Sequence, residues 1–315
     1  MVMPFLGKAT CKDKAISVQN LLQKLLTLFI GTNNLDSDAI KPISEIASSR
    51  ISEPNNGASQ PIKGAVHLQR IRNIYNPTST ERFKISRSKL ELFIRCNRCF
   101  YIDRRLGVRY PDSLSFSLNL AVDELLKKEF DTYRAEQKSH PLCIENNINV
   151  IPFKHANLES WRKSLHEGVQ YVVPNTNFLI QGGIDDVWIN PETEELIIVD
   201  YKATSKKGEV DLSADWQICY KRQAEIYQWL FRKNGFKVSN IAYFVYCNAK
   251  KDLPSFNKQL YFNISLIPYH GNDDWVEPAI IKAYECLQSD LIPPITETCE
   301  YCKYYEAVRK HVEKF

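Results

Sequence analysis

The stretch from Gln181 to Lys202 limits the folding of this 315-residue chain more than any other. Two β-prone runs, Asn177 to Ile189 and Glu195 to Ala203, flank Asn190-Pro191-Glu192-Thr193, a segment of turn formers. The pattern predicts a hairpin. If its turn centres between Glu192 and Thr193, antiparallel pairing sets Asp185 opposite Asp200, with Cβ atoms about 4.5–5.5 Å apart. Lys202 falls on the same face, opposite Gly183. A slip of one residue would bring in Asp186 instead. Facing carboxylates repel, and Asp is a poor strand former, so something must offset the pairing. A divalent cation held by the two carboxylates would do so, with Lys202 beside them to neutralise the site or hold a phosphate or water. The plainer reading is a solvated hairpin whose surface charges are balanced by Lys202.

The elements around the hairpin suggest an α/β (α+β) domain. Helices are expected at Ser86 to Ile94, from Ser117 or Asn119 to about Gln137, at Leu158 to Glu167, at Asp215 to Lys233 and at Asp273 to Gln288. Further strands are expected at Gln170 to Val173, Val238 to Cys247 and Gln259 to Leu266. In the second helix Leu118, Ala121, Val122, Leu125, Leu126 and Phe130 are the expected buried stripe. On the helix after the hairpin, Gln223 and Tyr227 are four residues apart and share a face with Tyr220 and Trp216. Such a stripe is usually core, yet the Gln223 amide needs polar partners that a functional site would supply. Residues 1–80 read as an extension: an amphipathic helix (Val18, Leu21, Leu22, Leu25, Leu26, Phe29) ending at Gly31, then a Ser-, Asn- and Pro-rich linker. Residues 81–315 read as the main domain.

Gly182-Gly183-Ile184-Asp185, Asp200-Tyr201-Lys202 and Gln223-to-Tyr227 together resemble the RecB-like branch of the PD-(D/E)XK nucleases. The resemblance implies a restriction-endonuclease-like core, a central mixed sheet flanked by helices, and metal-dependent cleavage of DNA. It implies that Asp185 and Asp200 bind Mg²⁺ or Mn²⁺, that Lys202 positions or activates the attacking water, and that Gln223 and Tyr227 steady the site or the DNA. The branch often carries a His on a preceding helix as a further metal ligand. Here Asp123 takes that place, with Glu124 as its neighbour. The expected partners are DNA, as single strands or ends, and a helicase or other protein, since no Gly-x₄-Gly-Lys-[Ser/Thr] motif is present. The expected activity is that of a deoxyribonuclease, an exonuclease in repair, recombination or defence, with a catalytically inactive nucleic-acid-binding module as the alternative.

Nine cysteines, an odd number with no secretory leader before them, argue for an intracellular, cytoplasmic protein rather than a disulfide framework. No apolar run is long enough to span a bilayer, so no membrane partner is expected. Cys96-x₂-Cys99 and Cys299-x₂-Cys302 each have the spacing that lets two thiolates share a metal. Together they could close a four-thiolate site, and tetrahedral sulfur suits either zinc or iron–sulfur. Several RecB-like nucleases, the CRISPR-associated and AddB types among them, hold a [4Fe–4S] cluster through one cysteine before the core and three after it. The resemblance therefore implies [4Fe–4S] here, with Zn²⁺ as the alternative, although this chain has two and two. The net charge is only +4, but Arg82 to Arg109 holds nine Lys or Arg against Glu91 and Asp103. Interleaved with Phe93, Phe100, Tyr101 and Tyr110, that run suits phosphates and unpaired bases, or simply a solvated face.

Overall fold

The computed structural model describes residues 69–111 and 117–313. The expected N-terminal helix and linker lie outside the described residues. Tyr75, which the sequence reading assigns to the extension, is a core residue, its ring edge-on to Phe83 and Phe178. The packed domain thus takes in chain ahead of residue 81.

Mixed α/β structure forms two sheets flanked by helices. The three-stranded sheet has the order β1-β4-β3 (β1, Phe83–Ser86; β3, Val169–Val172; β4, Phe178–Gly182). The five-stranded sheet has the order β2-β5-β6-β7-β8 (β2, Ile151–Pro152; β5, Asp186–Ile189; β6, Leu196–Thr204; β7, Ile241–Ala249; β8, Phe262–His270). β6 and β7 run parallel, joined through helix α6 (Ile218–Lys233), while β5–β6 and β7–β8 are antiparallel.

The run expected as one strand over 177–189 is two strands in different sheets. The break falls at Gly183-Ile184-Asp185, where the chain is held too closely for side chains. A Cβ on Gly182 would lie 2.5 Å from the Tyr227 ring, and one on Gly183 would lie 2.6 Å from the Ser164 Cα. Glycine is the residue that permits such approach. The turn itself forms where Asn and Pro indicate. The Asn190 side chain accepts hydrogen bonds from the backbone of Glu192 and Thr193, and Glu194 adopts a positive φ of 59°.

Alternation along β5 and β6 divides the hairpin between two apolar clusters. Val187 and Ile198 point into the larger one, which α6 and α7 (Val276–Gln288) cover. Trp188, Ile197, Val199 and Tyr201 point the other way and meet α3 (Ser117–Glu136), whose Phe130 stacks on Trp188 at 5.2 Å. The α3 stripe differs from expectation. Leu118 and Leu125 are exposed, and the buried positions are Leu126, Phe130 and Arg134. Spacings of four select this face, and it contains a charge because a carboxylate waits beneath it. The helix expected over 158–167 is shorter, Leu158–Arg162.

Candidate functional site

The β5–β6 register matches Asp186 with Val199 and Ile189 with Leu196, and continuing it by one step sets Asp185 against Asp200. This is the register that the turn chemistry predicts, without the slip toward Asp186. Asp185 caps the adjoining strand: its Oδ2 accepts from the Tyr201 backbone N–H at 2.9 Å. Asp200 is buried at 1% exposure, and its Oδ1 accepts from Gln223 Nε2 at 2.8 Å. Its Oδ2 is met by the Lys202 ammonium. Lys202 also lies over the Tyr220 ring, 4.7 Å from its centre. Tyr227 donates to the carbonyl of Gly183 and so fixes the bend that carries Asp185. The polar stripe on α6 is therefore a floor under the hairpin, as the position of Gln223 suggested, while Trp216 at its outer end is 61% exposed.

Electrostatics set this cluster apart. Burial, with Asp185 adding to it, pushes the Asp200 carboxyl up to about 7, against the pull of Lys202. Burial would lower Lys202, but the two carboxylates outweigh it and hold its ammonium above the ordinary lysine value. Asp123 approaches from α3, and burial together with Asp185 raises its carboxyl. Lys127, one turn on, lies 2.6 Å from Asp123 and 3.9 Å from Asp185 and bridges them. Glu124 points elsewhere, to Lys128. Asp123, Asp185 and Asp200 do not gather as tightly as the thiols described below.

Two participants were not legible in the sequence. Arg87, at the start of α1 (Arg87–Arg95), is near enough to Tyr227 and Asp200 that, against burial, they hold its guanidinium above the ordinary arginine value. It is distant in sequence from both and carries no spacing signal. Lys127 was legible only as an ordinary i, i+4 partner of Asp123. Both border the site. Arg87, with Lys84, Ser88 and Lys89, lines a groove of about 620 Å³ that ends at Gly183, Asp185, Gln223 and Tyr227.

Part of the basic run is neutralised within the fold. Buried Asp103 takes Arg70, Lys89 and Arg104 as ion partners, buried Glu91 takes Arg222, and Arg105 reaches Asp290. The excess positive charge is therefore partly structural, and Lys84 and Arg87 are its members nearest the carboxylates.

The four cysteines come together. Cys96 and Cys99 stand at the junction of α1 and α2 (Asn97–Arg104), and Cys299 and Cys302 at the start of α8 (Glu300–Val312). All four sulfurs lie within 4.8 Å of one another. Of the other cysteines, Cys143 and Cys247 are buried and Cys219 and Cys286 half-buried; Cys11 lies outside the described residues.

No helix among the described residues is long and apolar enough to cross a membrane. A search of curated proteins returned no match. The family model for the PD-(D/E)XK nuclease superfamily matches residues 84–307, well over half of the chain, and those bounds take in the hairpin, the Gln223–Tyr227 helix and both cysteine pairs. With two carboxylates and a lysine converging on one hairpin of a mixed α/β core, the chain belongs to the PD-(D/E)XK nuclease superfamily.

Proposed function

We propose that this protein is a metal-dependent DNA nuclease of the RecB-like branch, hydrolysing phosphodiesters at ends or in single strands. The observation that carries this reading is the Asp200 carboxylate. It is buried, it lies opposite a second aspartate in the hairpin register, and a single lysine ammonium meets its Oδ2. Two facing carboxylates, one of them buried, repel unless positive charge offsets them, and a divalent cation would supply what one lysine does not. Asp185 and Asp200 would hold Mg²⁺ or Mn²⁺, with Asp123 as a further ligand from α3. The bound ion would acidify a water for attack on phosphorus and take up charge developing on the phosphate. Lys202 offsets negative charge beside Asp200 and orients the attacking water. Gln223 and Tyr227 hold Asp200 and the Gly183 bend in place. Lys84 and Arg87 supply positive charge along the groove for the phosphate backbone, and the exposed Trp216 offers a face for an unpaired base. These features fit a role in repair, recombination or defence.

One observation favours a second reading, a nucleic-acid-binding module without cleavage. Lys127 bridges Asp123 and Asp185, so an internal ammonium already neutralises part of the acidic cluster. End-labelled single-stranded, double-stranded and branched DNA, incubated with and without Mg²⁺ or Mn²⁺, separates the two. A nuclease cleaves only with the ion, and Lys202→Ala lowers the rate by about 10²-fold or more while DNA binding persists. Binding with no cleavage under any of these conditions makes the module the correct reading.

A further inference from the structure

We infer that Cys96, Cys99, Cys299 and Cys302 hold one tetrahedrally coordinated zinc ion, not the [4Fe–4S] cluster that the family resemblance implies. Size distinguishes the two groups. Four thiolates around a single ion at a zinc–sulfur distance of about 2.3 Å stand at the corners of a tetrahedron with edges of about 3.8 Å. The Cys96–Cys302, Cys99–Cys299 and Cys99–Cys302 sulfurs are 3.6, 3.7 and 3.8 Å apart. In a [4Fe–4S] cluster each thiolate binds a different iron and points away from a bulky cubane, which spreads the sulfurs to roughly 6 Å. Every sulfur pair here is within 4.8 Å, too close to enclose a cubane. The spacing also exceeds a disulfide bond, and all four cysteines are free thiols. The two-and-two distribution agrees. Each Cys-x₂-Cys pair bites one ion from the start of a helix, α2 on one side and α8 on the other. Four protein thiolates leave no open position, as in a structural site, and zinc, without redox chemistry or a d-electron geometric preference, suits such a closed tetrahedron.

The consequence for the fold is specific. In α8 the one buried residue is Cys302, while Tyr301, Tyr304, Tyr305, Val308 and Val312 are exposed. A helix with so little apolar burial is not held by its own packing. The ion therefore anchors α8 to α2.

The test is made on full-length protein purified anaerobically from iron-replete cells, so that an oxygen-labile cluster would survive. Elemental analysis with a labile-sulfide assay is expected to give one zinc per chain and no sulfide. X-ray absorption at the zinc edge is expected to give four sulfur neighbours at about 2.3 Å. Iron with labile sulfide, a single iron without it, or metal-free protein with oxidised cysteines overturns the assignment, as does zinc bound through nitrogen or oxygen. Chelation of the wild-type protein should raise amide exchange over residues 300–312 before the hairpin responds. Simultaneous loss of protection everywhere overturns the anchoring role. Metal content is read without DNA, so failure of the nuclease reading leaves this result intact.

Discussion

Asp186 and Asp200 are both buried, on opposite faces of one hairpin, and they have opposite surroundings. Asp186 is saturated. Tyr201 donates its hydroxyl at 2.7 Å, Val187 its backbone N–H at 2.8 Å, Arg162 lies at 3.3 Å, and Arg134 makes a short contact from α3. Arg162 and Arg134 are themselves tied to Asp131. Asp200 has fewer partners, Gln223 on one oxygen and Lys202 on the other. Burial pushes both carboxyls upward, opposed at Asp186 by two guanidiniums and a phenol and at Asp200 by the Lys202 ammonium and, more weakly, the Arg87 guanidinium. The lesson is that burial alone does not mark a functional acid. A facing carboxylate and a short list of partners do, since a network crowded with donors holds structure while a sparser one has capacity for a ligand. The two are linked, because Tyr201 binds Asp186 through its hydroxyl and Asp185 through its backbone, and Arg162 donates to the Asp185 carbonyl. The two acids therefore share neighbours across the strand.

The sharpest way to break this contrast is to neutralise each acid in turn. Asp200→Asn should reduce metal-dependent DNA cleavage by about 10³-fold or more and leave the urea midpoint near or above that of the parent. Asp186→Asn leaves two buried guanidiniums short of their carboxylate, and should cost about 3–5 kcal/mol of stability. Cleavage by that variant should fall only with the folded fraction. If Asp186→Asn abolishes cleavage at an unchanged midpoint, the division of roles is wrong.

Next in size is stabilisation by the ion. Mg²⁺ at about a hundred times its dissociation constant should stabilise the parent by about 2.7 kcal/mol. The Asp200→Asn variant should show almost none of this, and equal stabilisation of both would place the ion elsewhere.

Tyr201→Phe should cost about 1.5–3 kcal/mol, the worth of a hydrogen bond to a charged group, because one Asp186 oxygen loses its donor. Cleavage per folded molecule should change little, and a loss as large as that of Asp200→Asn would make the phenol part of the active site.

The final expected effect is on pH. The folded-state value of Asp200, about 7, is raised above its ordinary 3.8. Its contribution to stability is therefore fully present below about pH 4 and is lost as pH rises through 7. Without divalent ion the parent should weaken relative to Asp200→Asn across that window, by a few kcal/mol at most, and Mg²⁺ should reverse the trend at pH 8. Parallel stability curves for the two proteins would show that Asp200 is not the titrating group.

Much of this site is readable from residue order, and the reason is geometric. Strand side chains alternate with period two and a turn sets the register, so Asp185, Asp200 and Lys202 share a face once Asn190 and Pro191 locate the turn. Helical spacing brings Gln223 and Tyr227 onto one side of α6 in the same way. Sequence spacing fails where the neighbours are remote. Arg87 reaches Tyr227 from across the domain, and Asp103 gathers Arg70 and Lys89, so a basic run legible as a binding surface is partly an internal ion network. The break in the 177–189 run is invisible to spacing because Gly182 and Gly183 look like strand residues until Tyr227 and Ser164 are packed against them.

By itself the sequence determined the family, the hairpin and its facing carboxylates, and the pairing of four thiols at the two ends of one domain. These follow from local periodicity, turn chemistry and ligand spacing, which act over a few residues. Tertiary structure decided which buried acid is saturated and which is open, how much of the basic run is neutralised internally, and how far apart the four sulfurs stand. Those are distances between segments remote in the chain, and it is on distance that satisfaction of a charge and the size of a metal site depend.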